Sequence, residues 1–161
     1  MEERNPPLTD PEQVVAAYQN TVYRLAFAYA RRTSDAEDIF QEVFLRFFRR
    51  QPTFASGEHQ KAWFLRVTMN CAKKHLTSAW ARRTAPLVEE PVFSEPEEAG
   101  LFEAVGKLPP RYRNVIHLFY YEGYRAEEIG VLLKTKPSTV RTQLVRARTL
   151  LAEMMKEASH A

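Results

Sequence analysis

The sequence has a single cysteine and few glycines, and both scarcities narrow the classes of protein it can be. One cysteine, Cys71, excludes a disulfide framework and a zinc site built from several cysteines. Five glycines and the lack of alternating β-branched segments argue against a sheet protein. No activating His or Asp pattern accompanies Cys71, so we predict a small buried residue rather than a nucleophile.

Long apolar runs and the parts of an enzyme are also missing. No segment reaches the ~18 to 20 apolar residues of a membrane span, and the polar first residues contain no signal-peptide core. We therefore expect a cytoplasmic protein without direct membrane insertion. Because glycine-rich phosphate loops, nucleophile motifs and metal-ligand spacings are absent, we expect no enzymatic activity, no cofactor and no metal.

What the chain does contain is apolar residues at helical spacing and basic residues gathered on particular helices. Of the 161 residues, 45% are hydrophobic, which is enough for a packed core. The net charge is only +3, because an acidic segment offsets the basic helices, and the pI is about 9.1. This uneven distribution is typical of a nucleic-acid binder.

The first half of the chain predicts three helices, at about 11–31, 34–50 and 58–83. Ser34 followed by Glu37 gives the second helix a capping box, and its apolar side can enter a core through Ile39, Val43, Phe44 and Phe47. A loop at 51–60 separates it from the third helix. Residues 85–99, with three prolines and five glutamates, predict an acidic extended linker.

The second half predicts a further helical domain after this linker. We place a short helix from Leu101 and another at 111–121, ended by Gly123, with four residues facing inward: Val115, Ile116, Phe119 and Tyr120. Residues from Met154 onward are expected to fray. The predicted fold is all-α, with two small helical domains at 1–84 and 100–161 joined by the linker at 85–99.

Two helices near the C-terminus have the spacing of a helix-turn-helix. The first runs from Ala126 to Leu133, and the second begins near Pro137, which suits the first turn of a helix. One side of the second helix is apolar, with Val140, Leu144, Ala147 and Leu151. Its other side has donors suited to phosphates and base edges: Ser138, Thr139, Arg141, Thr142, Gln143 and Arg146. An ordinary helical hairpin with a solvated basic face is the alternative.

Two earlier faces also have functional and structural interpretations. Aromatic and basic side chains alternate along the third helix, at Trp63, Phe64, Arg66, Asn70, Lys73 and Lys74. They suit single-stranded DNA, although an aromatic pair at helical spacing is more often part of a core. The second helix begins with an acidic face, at Asp35, Glu37, Asp38, Gln41 and Glu42, which the helix dipole alone would also favour.

Taken together, these segments resemble the sigma-70 family, and specifically its extracytoplasmic-function (ECF) group. SDAEDIFQEVFLRFF at 34–48 resembles the sigma-2 helix that docks on core RNA polymerase, and KAWFLRVTMNCAKKHL at 61–76 resembles the helix that recognises the minus-10 element. LPPRYRNVIHLFYYEGYRAEEIG at 108–130, with STVRTQLVRARTLL at 138–151, resembles the sigma-4 domain that reads the minus-35 element. The match extends from about Val14 to Met154.

The resemblance implies roles for three sets of residues. Polymerase docking falls to Asp35, Glu37, Asp38, Gln41, Glu42 and Phe44. Minus-10 recognition falls to Phe54, Trp63, Arg66, Asn70, Lys73 and Lys74, with Asn70 lining the pocket for a flipped-out base and the loop at 54–59 covering that pocket. Minus-35 recognition falls to Ser138, Thr139, Arg141, Thr142, Gln143 and Arg146. The linker would thread toward the polymerase active-site cleft.

The implied partners are core RNA polymerase, promoter DNA and an anti-sigma factor. On the polymerase, contacts are implied with the clamp helices of the largest subunit and the flap of the second-largest subunit. The chain departs from the family pattern at the turn, where residues 134–136 stand where glycine is common, and at Gly130, where alanine is commoner. Two alternatives stay open: a conventional helix-turn-helix regulator that never replaces sigma, and a module that merely sequesters another factor.

Overall fold

The computed structural model of the chain describes residues 5–82 and 96–160, and all regular structure within these ranges is helical. The predicted all-α fold is therefore confirmed for the described part of the chain. The chain forms two compact units, residues 1–90 and 91–161. The predicted linker at 85–99 falls mostly on residues 83–95, which lie outside the described residues.

The N-terminal unit is a bundle of three helices, α1 (Pro11–Ala30), α2 (Thr33–Arg50) and α3 (Gly57–Arg82). Its core is formed by apolar side chains of all three helices: Val14, Val22, Ala26, Ala36, Ile39, Val43, Phe44, Phe64, Val67, Cys71 and Ala72. The Phe64 ring lies at the centre, 4.7 Å from the Tyr18 ring and 5.4 Å from that of Phe44, measured between centroids. This aromatic packing fixes the orientation of α3, and with it the positions of the side chains predicted to contact DNA.

The C-terminal unit contains α4 (Pro96–Lys107), α5 (Pro110–Ile116), a π-helical turn (His117–Tyr121), α6 (Ala126–Leu133) and α7 (Pro137–His160). Helices α4, α5 and α6 all pack on α7. Buried residues of every helix form the core: Ala104, Leu108, Tyr112, Val115, Ile116, Leu118, Ile129, Leu132, Val140, Leu144 and Ala147. The apolar side predicted for the second helix of the helix-turn-helix faces this core at Val140, Leu144 and Ala147, whereas Leu151 is only partly buried.

Two helix boundaries were predicted wrongly in this unit. Helix α4 begins at Pro96 rather than Leu101, because proline suits the first position of a helix, where its missing N–H is not needed. Helix α7 continues to His160 instead of fraying from Met154. Met154 is partly buried, and the packing of α4 against α7 supplies tertiary contacts that local sequence does not reveal.

A π-helical turn replaces the end of the helix predicted at 111–121. It shifts the register, so that His117 and Leu118 are buried whereas Tyr120 is 57% exposed. The prediction that Tyr120 faces inward is wrong for this reason. The wider turn places the Tyr120 hydroxyl 2.6 Å from Nε of Arg148 on α7, which donates a hydrogen bond to it.

Candidate protein and nucleic-acid interfaces

Only some of the residues predicted for the acidic face of α2 are exposed to solvent. Glu37, Asp38 and Gln41 are exposed, and Glu42 is half-buried and accepts a hydrogen bond from Nε of Arg46 at 3.1 Å. Asp35 and Phe44, in contrast, are only 2% and 6% exposed. These two belong to the interior of the bundle, so the exposed acidic face of α2 is smaller than predicted.

Asp35 joins α2 to α3 through a hydrogen bond between its buried carboxylate and the His75 ring. Its Oδ1 lies 3.1 Å from Nε2 of His75, and its Oδ2 lies 3.8 Å from Nε of Arg32. Asp38, whose side chain is 61% exposed, lies 3.9 Å from the same His75 nitrogen. One ligand atom from each of Asp35, Asp38 and His75 falls within 4.8 Å of the others. The pairing with His75 and Arg32 already accounts for the buried carboxylate, so we assign no metal to this trio.

A groove between α2 and α3 extends from this contact between Asp35 and His75. Its walls are formed by Asp38, Ile39, Glu42, Arg46, Cys71, Lys74, His75 and Ser78. Lys74, predicted to contact DNA, therefore lines the groove beside the acidic residues of α2. Burial raises the pKa of the Cys71 thiol, which keeps the sulfur protonated and fits its predicted role as a small core residue.

The remaining minus-10 candidates follow one side of α3 at intervals of three and four residues. Asn70 and Lys73 are exposed, whereas Trp63 and Arg66 are half-buried. The Trp63 ring packs edge-to-face on three other aromatic rings, those of Phe47, Phe54 and Phe64. Trp63 therefore supports the wall of this face, while Asn70 and Lys73 are free to contact a ligand.

The loop before α3 is held by its own short network. Ser56 accepts a hydrogen bond from the His59 N–H at 3.1 Å, and Nδ1 of His59 accepts one from the Ala55 N–H at 3.1 Å. The Phe54 ring lies between the rings of His59 and Trp63, at 5.3 Å and 5.9 Å. Sequence reasoning missed the anchoring role of His59; the signal was a serine three residues before a side-chain acceptor, as in a capping box.

The helix-turn-helix closes through the backbone at the end of α6. The N–H of Thr135 donates to the Gly130 carbonyl at 2.8 Å and that of Lys134 to the Val131 carbonyl at 3.4 Å, which is the Schellman arrangement. Lys134 occupies the left-handed region at φ 56°, where glycine is common. The turn without glycine thus keeps the usual geometry.

The predicted reading face of α7 is open to solvent. Ser138, Thr139, Arg141, Thr142 and Arg146 are exposed, and Gln143 is half-buried. Two of the arginines already have partners within the chain. Arg141 donates a hydrogen bond to Glu127 of α6, and Arg146 interacts with the hydroxyl of Tyr112.

These contacts alter the acidity of their partners. The pKa of Glu127 is lowered, first by a hydrogen bond from its own backbone N–H and then by Arg141. The pKa of Tyr112 is lowered chiefly by hydrogen bonding from Arg111, with Arg146 contributing. Because Glu127 has a lowered pKa in the folded chain, its pairing stabilises the fold above the ordinary carboxyl pKa and is lost as pH falls through the lowered value.

None of the described helices is long and apolar enough to cross a membrane.

Comparison with known proteins identifies both units. The family described as Sigma-70 region 2 matches residues 14–82, and that described as Sigma-70, region 4 matches residues 100–151, together about three quarters of the chain. The "Probable RNA polymerase sigma factor RfaY" of Xanthomonas campestris pv. campestris is 31% identical over 151 residues, covering 84% of this chain and 38% of that protein. The "ECF RNA polymerase sigma factor SigE" of Mycolicibacterium smegmatis is 32% identical over 157 residues, covering 89% and 61%.

The chain therefore spans less than two thirds of the length of both relatives. Among solved structures, the sigma factor RpoE of Bartonella quintana, in complex with the anti-sigma factor NepR, matches with a TM-score of 0.78 at 18% identity. That match covers 92% of this chain and 98% of the other. It shows that the two chains share a fold.

Proposed function

Because the chain belongs to the sigma-70 family, in its extracytoplasmic-function group, we propose that it binds core RNA polymerase and directs it to specific promoters. The observation that supports this most strongly is the presence of both family regions in order, each carrying an exposed face of the chemistry its role needs. No reactive constellation was found among the described residues, so we propose a binding protein rather than an enzyme.

The proposed polymerase-docking face is the exposed part of α2. Glu37, Asp38, Gln41 and Glu42 can contact the clamp helices of the largest subunit, while Asp35 and Phe44 hold the helix in the bundle behind them. Lys74 lines the same groove, so we place it beside this interface rather than on the minus-10 strand. The flap of the second-largest subunit is the proposed partner of the C-terminal unit.

The proposed DNA contacts divide between the two units. Asn70 and Lys73 on α3, with the loop around Phe54, would capture a base of the melted minus-10 strand, at the few kcal/mol that unstacking costs. The exposed hydroxyls and arginines of α7 would read the minus-35 duplex. An anti-sigma factor is a further proposed partner, supported by the complex in which the structurally similar RpoE was solved.

The proposal is tested by transcription with purified core polymerase. Core enzyme with this chain should initiate at discrete sites in a genomic run-off screen, and core enzyme alone should not. If the chain binds duplex DNA, does not bind core polymerase and gives no new start sites, it is a conventional helix-turn-helix regulator. A chain that binds no promoter, with little salt dependence, is a module that sequesters another factor.

Charge reversal on α2 should separate polymerase binding from DNA binding. The double variant Asp38→Lys/Glu42→Lys is expected to bind core polymerase at least ~100-fold more weakly, because like charges across an interface cost several kcal/mol. Its affinity for duplex DNA should not fall. The matched control is Glu12→Lys/Glu157→Lys, which makes the same change in net charge at exposed sites elsewhere. Equal core affinity for both double variants, measured by competition, would refute the docking face.

Alanine at Arg146 or Arg141 should weaken minus-35 binding without changing the affinity for core polymerase. If each arginine neutralises one phosphate, each variant should flatten the dependence of log affinity on log salt by roughly 0.9. If it reads a base instead, specificity at one position should fall by ~1–3 kcal/mol. Arg148→Ala is the control on the same helix, since Arg148 bonds to Tyr120. Minus-35-dependent initiation that survives Arg146→Ala would show that this face has another use.

A further inference from the structure

The segment before α1 is bound to the beginning of α3 by three hydrogen bonds. We call residues Asn5–Leu8 the N-terminal strap. The Gly57 N–H donates to the Asn5 carbonyl at 2.6 Å. The Leu8 N–H donates to Oε1 of Gln60 at 2.9 Å, and Nε2 of Gln60 donates back to the Leu8 carbonyl at 2.9 Å. One side-chain amide thus satisfies both backbone groups of Leu8.

The strap is held by polar contacts rather than by burial. Asn5, Pro6 and Leu8 are exposed, whereas Gln60 is only 1% exposed. An amide buried in this way costs free energy unless it is hydrogen-bonded. Its partners are the strap and the hydroxyl of Tyr18, which lies 3.2 Å from Oε1. Gln60 therefore depends on the strap as much as the strap depends on Gln60.

We call the two hydrogen bonds between Gln60 and Leu8 the clasp. Tyr18 connects this clasp to the core. Its ring stacks on Phe64 with centroids 4.7 Å apart, so the hydroxyl is presented to Gln60 from a fixed position. Burial, with a smaller contribution from the charge of Glu58, raises the pKa of Tyr18. The hydroxyl therefore remains protonated and able to donate across the neutral pH range.

The first residues of α3, at 57–60, bind the strap and also anchor the preceding loop at 51–56. Ser56 accepts from the N–H groups of both His59 and Gln60, and His59 in turn holds Ala55 and the Phe54 ring. Gly57, between the loop and Gln60, is bonded to the strap directly. A Cβ added to Gly57 would lie 3.4 Å from Asn5, so the strap lies against the loop's downstream end.

The composition of the strap favours a fixed position. Pro6 and Pro7 restrict their own φ angles and bias the residues before them toward extended backbone. Less conformational entropy is therefore lost when the strap is held against α3 than for an unrestricted segment. The two prolines leave the N–H of Leu8 as the first donor after them, and that donor is the one bound to Gln60.

We propose that the N-terminal strap, clasped by Gln60, is a positioning element for the loop that reads the minus-10 strand. The strap does not touch DNA itself; it sets the position of Ser56 and His59, and through them of Phe54. Base preference at the minus-10 element therefore depends on a segment about fifty residues earlier in the chain. The expected effect on promoter selection rests on the proposed function. The ordering of the loop by the strap in the free protein does not.

Two pairs of variants test it in the full-length chain. Deletion of residues 1–8 removes the strap, and deletion of residues 1–4 is its control. Gln60→Leu removes the clasp at nearly constant volume, and Gln19→Leu, the same change at an exposed position of α1, is its control. The deletion leaves Gln60 in place, so the test does not depend on how α3 tolerates the Leu substitution.

The first readout is amide hydrogen exchange in the free protein. Exchange at Ala55, Gly57 and His59 should accelerate about tenfold or more in the strap deletion and in Gln60→Leu, the equivalent of one net hydrogen bond. Exchange at Val43, in the core of α2, should not change. Wild-type exchange of the loop amides in the deletion variant would overturn the inference, whatever the chain does with polymerase.

The second readout is promoter selection by the reconstituted holoenzyme from a library randomised at both elements. Base preference at minus-10 should fall about tenfold in both test variants, while minus-35 preference and core affinity stay as in wild type. Equal losses in all three would show a merely structural segment and overturn the proposal, as would unchanged minus-10 preference. If the wild-type holoenzyme selects nothing, the proposed function fails, and hydrogen exchange alone decides whether the strap orders the loop.

Discussion

Replacing Gly130 with alanine will destabilise the C-terminal unit by about 1–3 kcal/mol, the usual cost of forcing an extra carbon into a packed site. A Cβ at this position would lie 2.6 Å from the carbonyl oxygen of Thr135 and 3.4 Å from the nitrogen of Pro137. Both are backbone atoms and cannot rotate away. The Thr135 N–H is bonded to the Gly130 carbonyl, so relieving the contact strains the turn that joins α6 to α7.

The control for this variant is Gly100→Ala in α4, where the added Cβ would meet only the end of the Met155 side chain at 3.7 Å. Alanine is the better helix former, so this variant should be neutral or up to ~1 kcal/mol more stable. Both are measured by denaturant unfolding followed by circular dichroism. Both tryptophans, Trp63 and Trp80, lie in the N-terminal half of the sequence. The unfolding transition followed by tryptophan fluorescence should therefore be the same in both variants as in wild type. If Gly130→Ala is as stable as wild type, the short distance between this position and the Thr135 carbonyl oxygen is contradicted.

Asp35→Ala is expected to destabilise the N-terminal unit by about 2–3 kcal/mol, even though the sequence places Asp35 on an acidic surface. Its side chain is 3% exposed and pairs with His75 and Arg32. Removing it leaves two cationic or polar partners without their acceptor, a cost typical of charged hydrogen bonds. Weaker core-polymerase binding by this variant would then follow from partial unfolding.

Asp38→Ala is the matched variant, since Asp38 lies on the next turn of the same helix with its side chain 61% exposed. We expect its unfolding free energy to change by no more than ~0.5 kcal/mol. Its affinity for core polymerase should nevertheless fall. The pair therefore separates stability from docking: thermal unfolding distinguishes the first variant, and polymerase competition the second. Equal stability of both would contradict the buried role of Asp35.

Much of the fold could be predicted because it rests on local patterns. Helical spacing of apolar residues located each α-helix in the described part of the chain, though not the start of α4, and Pro137 and Gly123 gave the start of α7 and the turn after the π-helical segment. These signals work because helix starts, turns and apolar sides depend on residues close together in sequence. The family resemblance added the roles of the exposed residues, which remain proposals.

The features that escaped prediction depend on distant partners. Asp35 and Asp38 share an acidic pattern, yet Asp35 is buried, with its carboxylate 3.1 Å from His75 forty residues later, whereas the Asp38 side chain is 61% exposed. The clasp of Leu8 by Gln60 spans fifty-two residues and has no local signature. The π-helical turn is accompanied by the hydrogen bond from Arg148 to Tyr120, a partner twenty-eight residues away in sequence. Such contacts form only when the helices assemble.

The pairing of Arg141 with Glu127 has a consequence for how the chain distributes itself in a cell. Under the proposed contact with a phosphate, Arg141 gives up Glu127 when it binds DNA, and it does so equally on every duplex. The pairing therefore leaves discrimination between sequences unchanged but weakens the hold on DNA in general. Since random sites vastly outnumber promoters, we expect less of the chain to be retained on chromosomal DNA, and more of it to compete for polymerase as the proposed function requires.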